Sequence, residues 1–279
     1  MKRSILRRPA TRGALAATTA MLALSSFAAC GDDKSTTTDT TPDAGSRGSD
    51  LPQGSEPYDI DPKDFTADIT NPYFPMTPGR RWIYREVEPD GAVQEIVLIA
   101  TSDTKKLANG VTARVVRDTV TLDGSIIEDT FDWYAQDPDG NVWYMGEDTA
   151  EFEDGKVTSR EGAWEAGVDG ALPGIVMPSN PTDGMTYRQE YYKGHAEDRA
   201  EVLSNDELVE SEYGQFDNAV LTKDLVPLEP DVEELKFYVK DVGMVLALKV
   251  SGGSGRESLV SVDEAPDGAG TGPLGNPNP

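Results

Sequence analysis

Between residues 80 and 262 the chain alternates apolar and polar positions with a period of two. Trp82 and Tyr84 alternate with Arg81, Ile83 and Arg85, and Ile127, Phe131 and Trp133 alternate with Glu128, Thr130 and Asp132. Successive side chains of a strand point to opposite faces, so this period predicts half-buried antiparallel strands. Strands are predicted over 80–87, 94–101, 111–121, 125–135 and 141–146. They resume over 185–192, 199–203, 215–222, 233–239 and 244–250, with 257–262 closing the series. Asp-Gly pairs begin at Asp90, Asp123, Asp139, Asp154, Asp169 and Asp183. Asn109-Gly110 joins them, so a turn signal recurs every 14 to 19 residues. Such pairs suit type I′ hairpins, whose two central residues both take positive φ. One hairpin per strand makes a meander. Segment 172–181 interrupts it, because Pro173, Pro178 and Pro181 demote it from a central strand to a crossover or rim. Helical patches are confined to 62–69 and 206–211. A meander of about ten strands curls and closes, since closure removes its edges. The expected fold is all-β, an antiparallel meander forming a barrel or strongly curved half-barrel, with a disordered N-terminal stalk and C-terminal tail.

The two ends of the chain lack the strand pattern. Lys2, Arg3, Arg7, Arg8 and Arg12 form a basic, acid-free start. Residues 13–27 are apolar, Ala/Leu-rich and too short for a stop-transfer helix. Arg7-Arg8 hints at a twin-arginine route, although Pro9-Ala10 stand where a hydrophobic residue is usual. Ser26-Phe27-Ala28-Ala29-Cys30-Gly31 resembles a lipobox, with Phe27 in place of the usual leucine. Cleavage after Ala29 leaves Cys30, the only cysteine, as the site of lipid attachment. Each buried CH₂ contributes ~0.8 kcal/mol, so two or three acyl chains hold a protein where one is marginal. The expected organisation is a lipoprotein signal over 1–29, a lipidated Cys30 and disordered stalk over 30–56, an all-β domain over 57–262 and a disordered tail over 263–279. The expected location is outside the cytoplasm, anchored to the bacterial cell membrane through Cys30.

Charge removes some partners from consideration. The chain carries 25 basic and 50 acidic residues, net −25. Removing the five basic residues of the signal, which holds no acid, takes the net charge to −30. A surface this acidic argues against nucleic acid, whose binding depends on Lys and Arg at phosphates, and against a polybasic contact with anionic lipid. With Cys30 spent as the anchor, no disulfide is possible and the domain must be held by its core.

The candidate chemistry is sparse. Tyr73, Phe74, Trp82 and Tyr84 stand beside Pro72, Pro75 and Pro78, and can line a ligand mouth or plug one end of the barrel. Trp133, Trp143 and Tyr144 read as hairpin-flanking core first and pocket walls second. Asp137, Asp139 and Asn141 mimic the start of a calcium loop, but Val142 and Asp148 occupy its glycine and glutamate positions, so a hairpin turn is favoured. The acid-rich run at Glu147, Asp148, Glu151, Glu153 and Asp154 reads as a solvated loop. His195 is the only histidine and sits in a turn signal, with no nucleophile elbow and no common zinc pattern to support it. The carboxylate pairs Glu190/Glu197 and Glu161/Glu165 are the material for a glycosidase-like hydrolase. No cofactor motif is present: no phosphate loop or dinucleotide fingerprint follows a strand.

The run Asn71-Pro-Tyr-Phe-Pro-Met-Thr-Pro-Gly79, with Trp82 and Tyr84 after it, is similar to the opening of a group of uncharacterised bacterial secreted and lipid-anchored proteins. Segments 167–178, 187–191 and 236–244 share that likeness. Tyr238 and Val242-Gly243-Met244 also resemble lipocalin-like and lipoprotein-carrier-like half-barrels. The resemblance implies an all-β envelope domain and carries no catalytic residue. The expected function is a membrane-tethered, non-enzymatic binding or carrier module for a small apolar ligand or lipid. A lipoprotein docking to cell wall or a protein partner is the alternative, and a carboxylate-based hydrolase comes third.

Overall fold

A computed structural model describes residues 51–277; the signal, Cys30 and most of the expected stalk lie outside the described residues. The first meander comprises β1 (Arg80–Val87), β2 (Val93–Lys106), β3 (Thr112–Leu122), β4 (Ser125–Gln136) and β5 (Val142–Glu153). Short β6 (Lys156–Ser159) and β7 (Trp164–Glu165) fold back on β5, and β8 (Leu172–Met177) pairs beside them. After β9 (Thr186–Arg188) and β10 (Glu190–Tyr191) comes a second meander: β11 (Arg199–Glu210), β12 (Gln215–Leu225), β13 (Glu233–Val239), β14 (Gly243–Ser251) and β15 (Arg256–Glu264). Every ladder is antiparallel. No α-helix occurs among the described residues.

The meanders join where β1 pairs with β15, and the sheet path ends at β10 on one side and β9 on the other. Those two ends are consecutive in the chain. β9 pairs with β11 and β10 with β8, so one segment bent at Gln189 closes the barrel. At this seam the Gln189 and Glu190 N–H groups donate to the Asp198 carbonyl at 2.8 and 3.3 Å. Gly174 of β8 passes so close to the Arg188 carbonyl that any Cβ would strike backbone. The expected all-β barrel is therefore the observed architecture.

Three of the expected turns, at Asp123-Gly124, Asp154-Gly155 and Asp169-Gly170, use the I′ geometry, with positive φ at both central residues. At Gly91, Gly110 and Gly140 only the glycine is left-handed, and its N–H donates to the carbonyl three residues earlier. That is the type I turn with a following bulge, the other common short hairpin.

Several expectations need correction. Segment 172–181 supplies a true strand, β8. Pro173 is tolerated there because its partner on one side is the two-residue β10, and Pro178 ends the strand. Residues 206–211, expected as a short helix, lie mostly in β11, whose pairing with β12 is interrupted by three register shifts. Of 62–69 only Pro62–Asp64 is helical, a 3₁₀ turn capped by Asp61. The acid-rich run from Glu147 to Glu153 is not a loop but the second half of β5. Residues 51–56 do not behave as free stalk: the Arg188 N–H donates to the Pro52 carbonyl at 2.6 Å, and the Gln53 side chain bonds Thr186. The tail is not free either. Its first two residues belong to β15, and the Gly270 and Gly272 carbonyls are bound by Arg117.

The largest correction concerns facing. In β1, Trp82 and Tyr84 point into the barrel, opposite Leu98 and Ile96 of β2. In β4 it is the polar set that turns inward: Asp132 lines the lumen. Phe131 and Trp133 face out, where Gly270 to Pro273 of the tail and Lys105 cover them.

Candidate functional site

The lead-in segment seals one end of the barrel. Thr66 bridges Gln136, whose side-chain carbonyl accepts the Thr70 and Asn71 N–H groups at 2.8 and 2.9 Å. Asn71 is buried and its amide donates to the Gly140 and Pro178 carbonyls. Arg114 reaches the Ala67 carbonyl from below. These bonds hold Phe74 edge-on against Tyr134, with ring centroids 5.1 Å apart.

Beneath Phe74 a cavity of about 270 Å³ is walled by Met76, Trp82, Tyr84, Ile96, Leu98 and Met244, with Asp118, Asp132 and Glu257 deeper in. A second space of about 270 Å³ adjoins it, sharing Tyr134, Val176, Glu234 and Lys236 as walls, and reaches the β12–β13 loop at Val226 and Val232. A vestibule of about 490 Å³ lies at the end remote from Phe74. It touches the second space at Lys249 and is rimmed by Glu86, Glu88, Glu128 and Glu151. Three spaces, joined through shared wall residues, thus lie between Phe74 and the acidic rim.

Of the residues proposed for a ligand mouth, Phe74, Trp82 and Tyr84 line the first cavity, whereas Tyr73 packs half-buried outside it. The Trp82 N–H is held by the Val242 carbonyl at 2.7 Å and the Tyr84 hydroxyl by the Met244 carbonyl at 3.1 Å. Trp143 is core, its N–H bound to Asp137. That bond, with two more from Asn141, occupies the Asp137 carboxylate in a hairpin turn. His195 is exposed in a turn and stacks on Tyr192. The carboxylate pairs named from sequence are not assembled: Glu165 binds Lys105 and the Ala108 N–H, Glu197 caps the Gly194 N–H, and Glu161 is exposed. Glu190 alone of the four faces the lumen.

No sequence motif marks the lumen chemistry. Each of the two inner cavities has four carboxylates in its wall, with Glu234 common to both, so seven acids face two lysines. Lys236 is held by Asp224 at 2.8 Å and Glu234 at 3.1 Å. Burial opposes its charge, but those two acids outweigh burial and raise its pKa well above the usual lysine value. Lys249 is engaged with Glu86 at 2.7 Å. The other acids form no ion pair, and the Lys236 charge only partly offsets the effect of burial at Asp198, Glu190 and Glu257. Burial first, then the charges of Asp132 and Glu257, push the Asp118 carboxyl well above the usual range. Burial and Asp198 lift Glu190 to about 8, burial lifts Asp198 to about 6, and burial with Glu234 lifts Glu257 to about 7. Burial also raises Asp132, against the Tyr144 hydroxyl that donates to it at 2.7 Å. The signal available in sequence was parity: Asp118 shares a strand face with Val116, and Lys236 shares one with Tyr238, so these charges fall on faces that also hold buried side chains.

No family model and no curated protein matches the chain. Solved structures align with it at low similarity. A Bacteroides fragilis protein of YmcC-like fold, inferred to be exported, aligns at 17% identity over 70% of this chain and all of its own, with a TM-score of 0.40. A Parabacteroides distasonis protein inferred to be a lipoprotein aligns at 11% identity over 68% of this chain and 98% of its own, TM-score 0.35. A β-barrel-like protein from Brucella abortus, of a domain of unknown function, aligns at 11% identity over 67% and 98%, TM-score 0.34.

Proposed function

We propose that the protein is a lipid-tethered, non-enzymatic carrier of the bacterial envelope that holds a small, partly apolar ligand inside its barrel. The observation that carries this reading is the series of cavities inside the barrel, from one walled by Phe74 to one with an acidic rim. Aromatic walls at Trp82, Tyr84 and Tyr134 supply the apolar contact typical of small-molecule pockets. The lipobox-like sequence at Cys30 supplies the tether, and the likeness to secreted and lipid-anchored proteins at 71–84 agrees with it.

Val176 lines both inner cavities, so Val176→Trp fills the lumen without touching a charge. Protein isolated from its native membrane should yield a co-purifying small molecule by mass spectrometry, and the Val176→Trp variant should yield none. Equal recovery from both, or nothing from either, overturns the reading. The alternative of a docking protein is favoured by one feature, the β11–β12 hairpin, where Leu208 is 75% exposed and Tyr213 44%. Crosslinking that captures a reproducible partner at this hairpin would support it.

A further inference from the structure

The lumen is built with like charges facing each other. In the β4–β5 ladder Glu128 stands directly opposite Glu151, and Asp132 directly opposite Glu147; in the β1–β15 ladder Glu86 stands opposite Glu257. Directly opposed like charges destabilise a sheet, and buried polar atoms are normally hydrogen-bonded. Here Asp118 Oδ1 and Glu190 Oε2 are both enclosed and without a partner. The Trp164 N–H is directed at Glu190 and favours its charged form without reaching full hydrogen-bond geometry, which leaves Asp118 the wholly unpartnered carboxylate. Unpaired carboxylates inside an aromatic-walled cavity are an arrangement that folding alone does not reward.

From these observations we infer that the lumen ligand is an organic cation, an amine whose hydrocarbon part packs against Trp82, Tyr84 and Tyr134 while its ammonium meets Asp118, Asp132 and Glu190. This rests on the carrier reading above and names its ligand class. The acids lie on separate strands, and among the described residues no three metal-ligating side chains converge, which suits an extended organic cation better than a metal ion. Aromatic rings add a cation–π contribution. The vestibule with Glu86, Glu88, Glu128 and Glu151 at its rim concentrates cations at the entrance. Protonation of the inner acids keeps the empty lumen from carrying its full negative charge. An entering ammonium lets them ionise, so binding releases protons.

The test uses the exported chain carrying Cys30→Ser, titrated calorimetrically with octylamine, octanol and octanoate. Octylamine should bind at least about tenfold more tightly than octanol, with octanoate weakest, and its heat should depend on buffer ionisation enthalpy. Asp118→Asn with Glu190→Gln should abolish the amine's advantage and leave octanol binding intact, which also shows the variant is folded. If octanol and octylamine bind equally, or octanoate binds best, the cation inference falls while the carrier reading stands. Competition by calcium at millimolar concentration overturns it in favour of a metal site. If none of the three ligands binds, the carrier reading itself falls.

Discussion

Arg117 and Asp118 are adjacent in β3 and face opposite sides of the same sheet. Arg117, on the outer face, is fully buried, and its guanidinium lies 4.8 Å from the Phe131 ring. It grips Asp129 with two N–H groups and donates to the carbonyls of Gly270, Gly272 and Pro273. Asp129 further accepts from Thr119 at 2.8 Å and from the Gly275 N–H at 2.6 Å. Asp118, on the inner face, has no basic group among the charges that act on it and leaves one oxygen unpaired. A buried ion whose partners all come from the chain belongs to the architecture. One left short marks a place where the chain is incomplete without something else.

This contrast can be broken from either side. Arg117→Met strands Asp129 in the interior and should cost about 3–5 kcal/mol in urea unfolding, most of it regained by adding Asp129→Leu. A small single-mutant effect would show that the pair is not structural. Truncation after Glu264 removes four main-chain partners of the same ion pair, and should cost about 2–3 kcal/mol while making the outer face of β3–β4 susceptible to protease. Asp118→Asn should have the opposite sign, a gain on the order of 1 kcal/mol at pH 8.

The same comparison predicts an inverted pH profile. Carboxyls such as Glu190, Glu257 and Asp198 titrate in the folded state at about 8, 7 and 6, above their unfolded values near 4. The folded state therefore binds more protons between pH 4 and pH 8, and stability falls as pH rises through that window. Acidifying from pH 8 to pH 5 should raise Tm, and Asp118→Asn should flatten the rise. A Tm that drops over the same interval would refute the lumen assignment.

The strand pattern was legible because parity is local: β1 and β13 begin and end at the residues the alternation marks. Parity defines two faces but does not say which is inside. In β4 the aromatic face at Phe131 and Trp133 looked like the core, yet the barrel presents it outward beneath the tail. The described parts of the two segments expected to be disordered are held for a shared reason. Composition counts side chains, whereas residues 51–56 and 265–277 are held largely through their main chain, by Arg188 on the Pro52, Gly54 and Glu56 carbonyls and by Arg117 on the tail carbonyls. The lumen acids were hidden because Asp118, Glu190 and Glu257 come from three distant strands, and only the closed barrel turns them toward a common space.

The β1–β15 ladder gives the molecule a timetable. β1 can pair with β2 as soon as the first hairpin exists, but its other edge stays open until residues 256–264 have been made. Almost the whole domain must therefore be synthesised before that edge is covered, and the ladder between the first and last long strands is the contact of greatest sequence separation in the sheet. The newborn protein spends that interval exposing a strand that carries Trp82 and Tyr84, the kind of edge that recruits unwanted neighbours. Until then residues 80–87 are a standing open edge, alongside the growing end of the sheet.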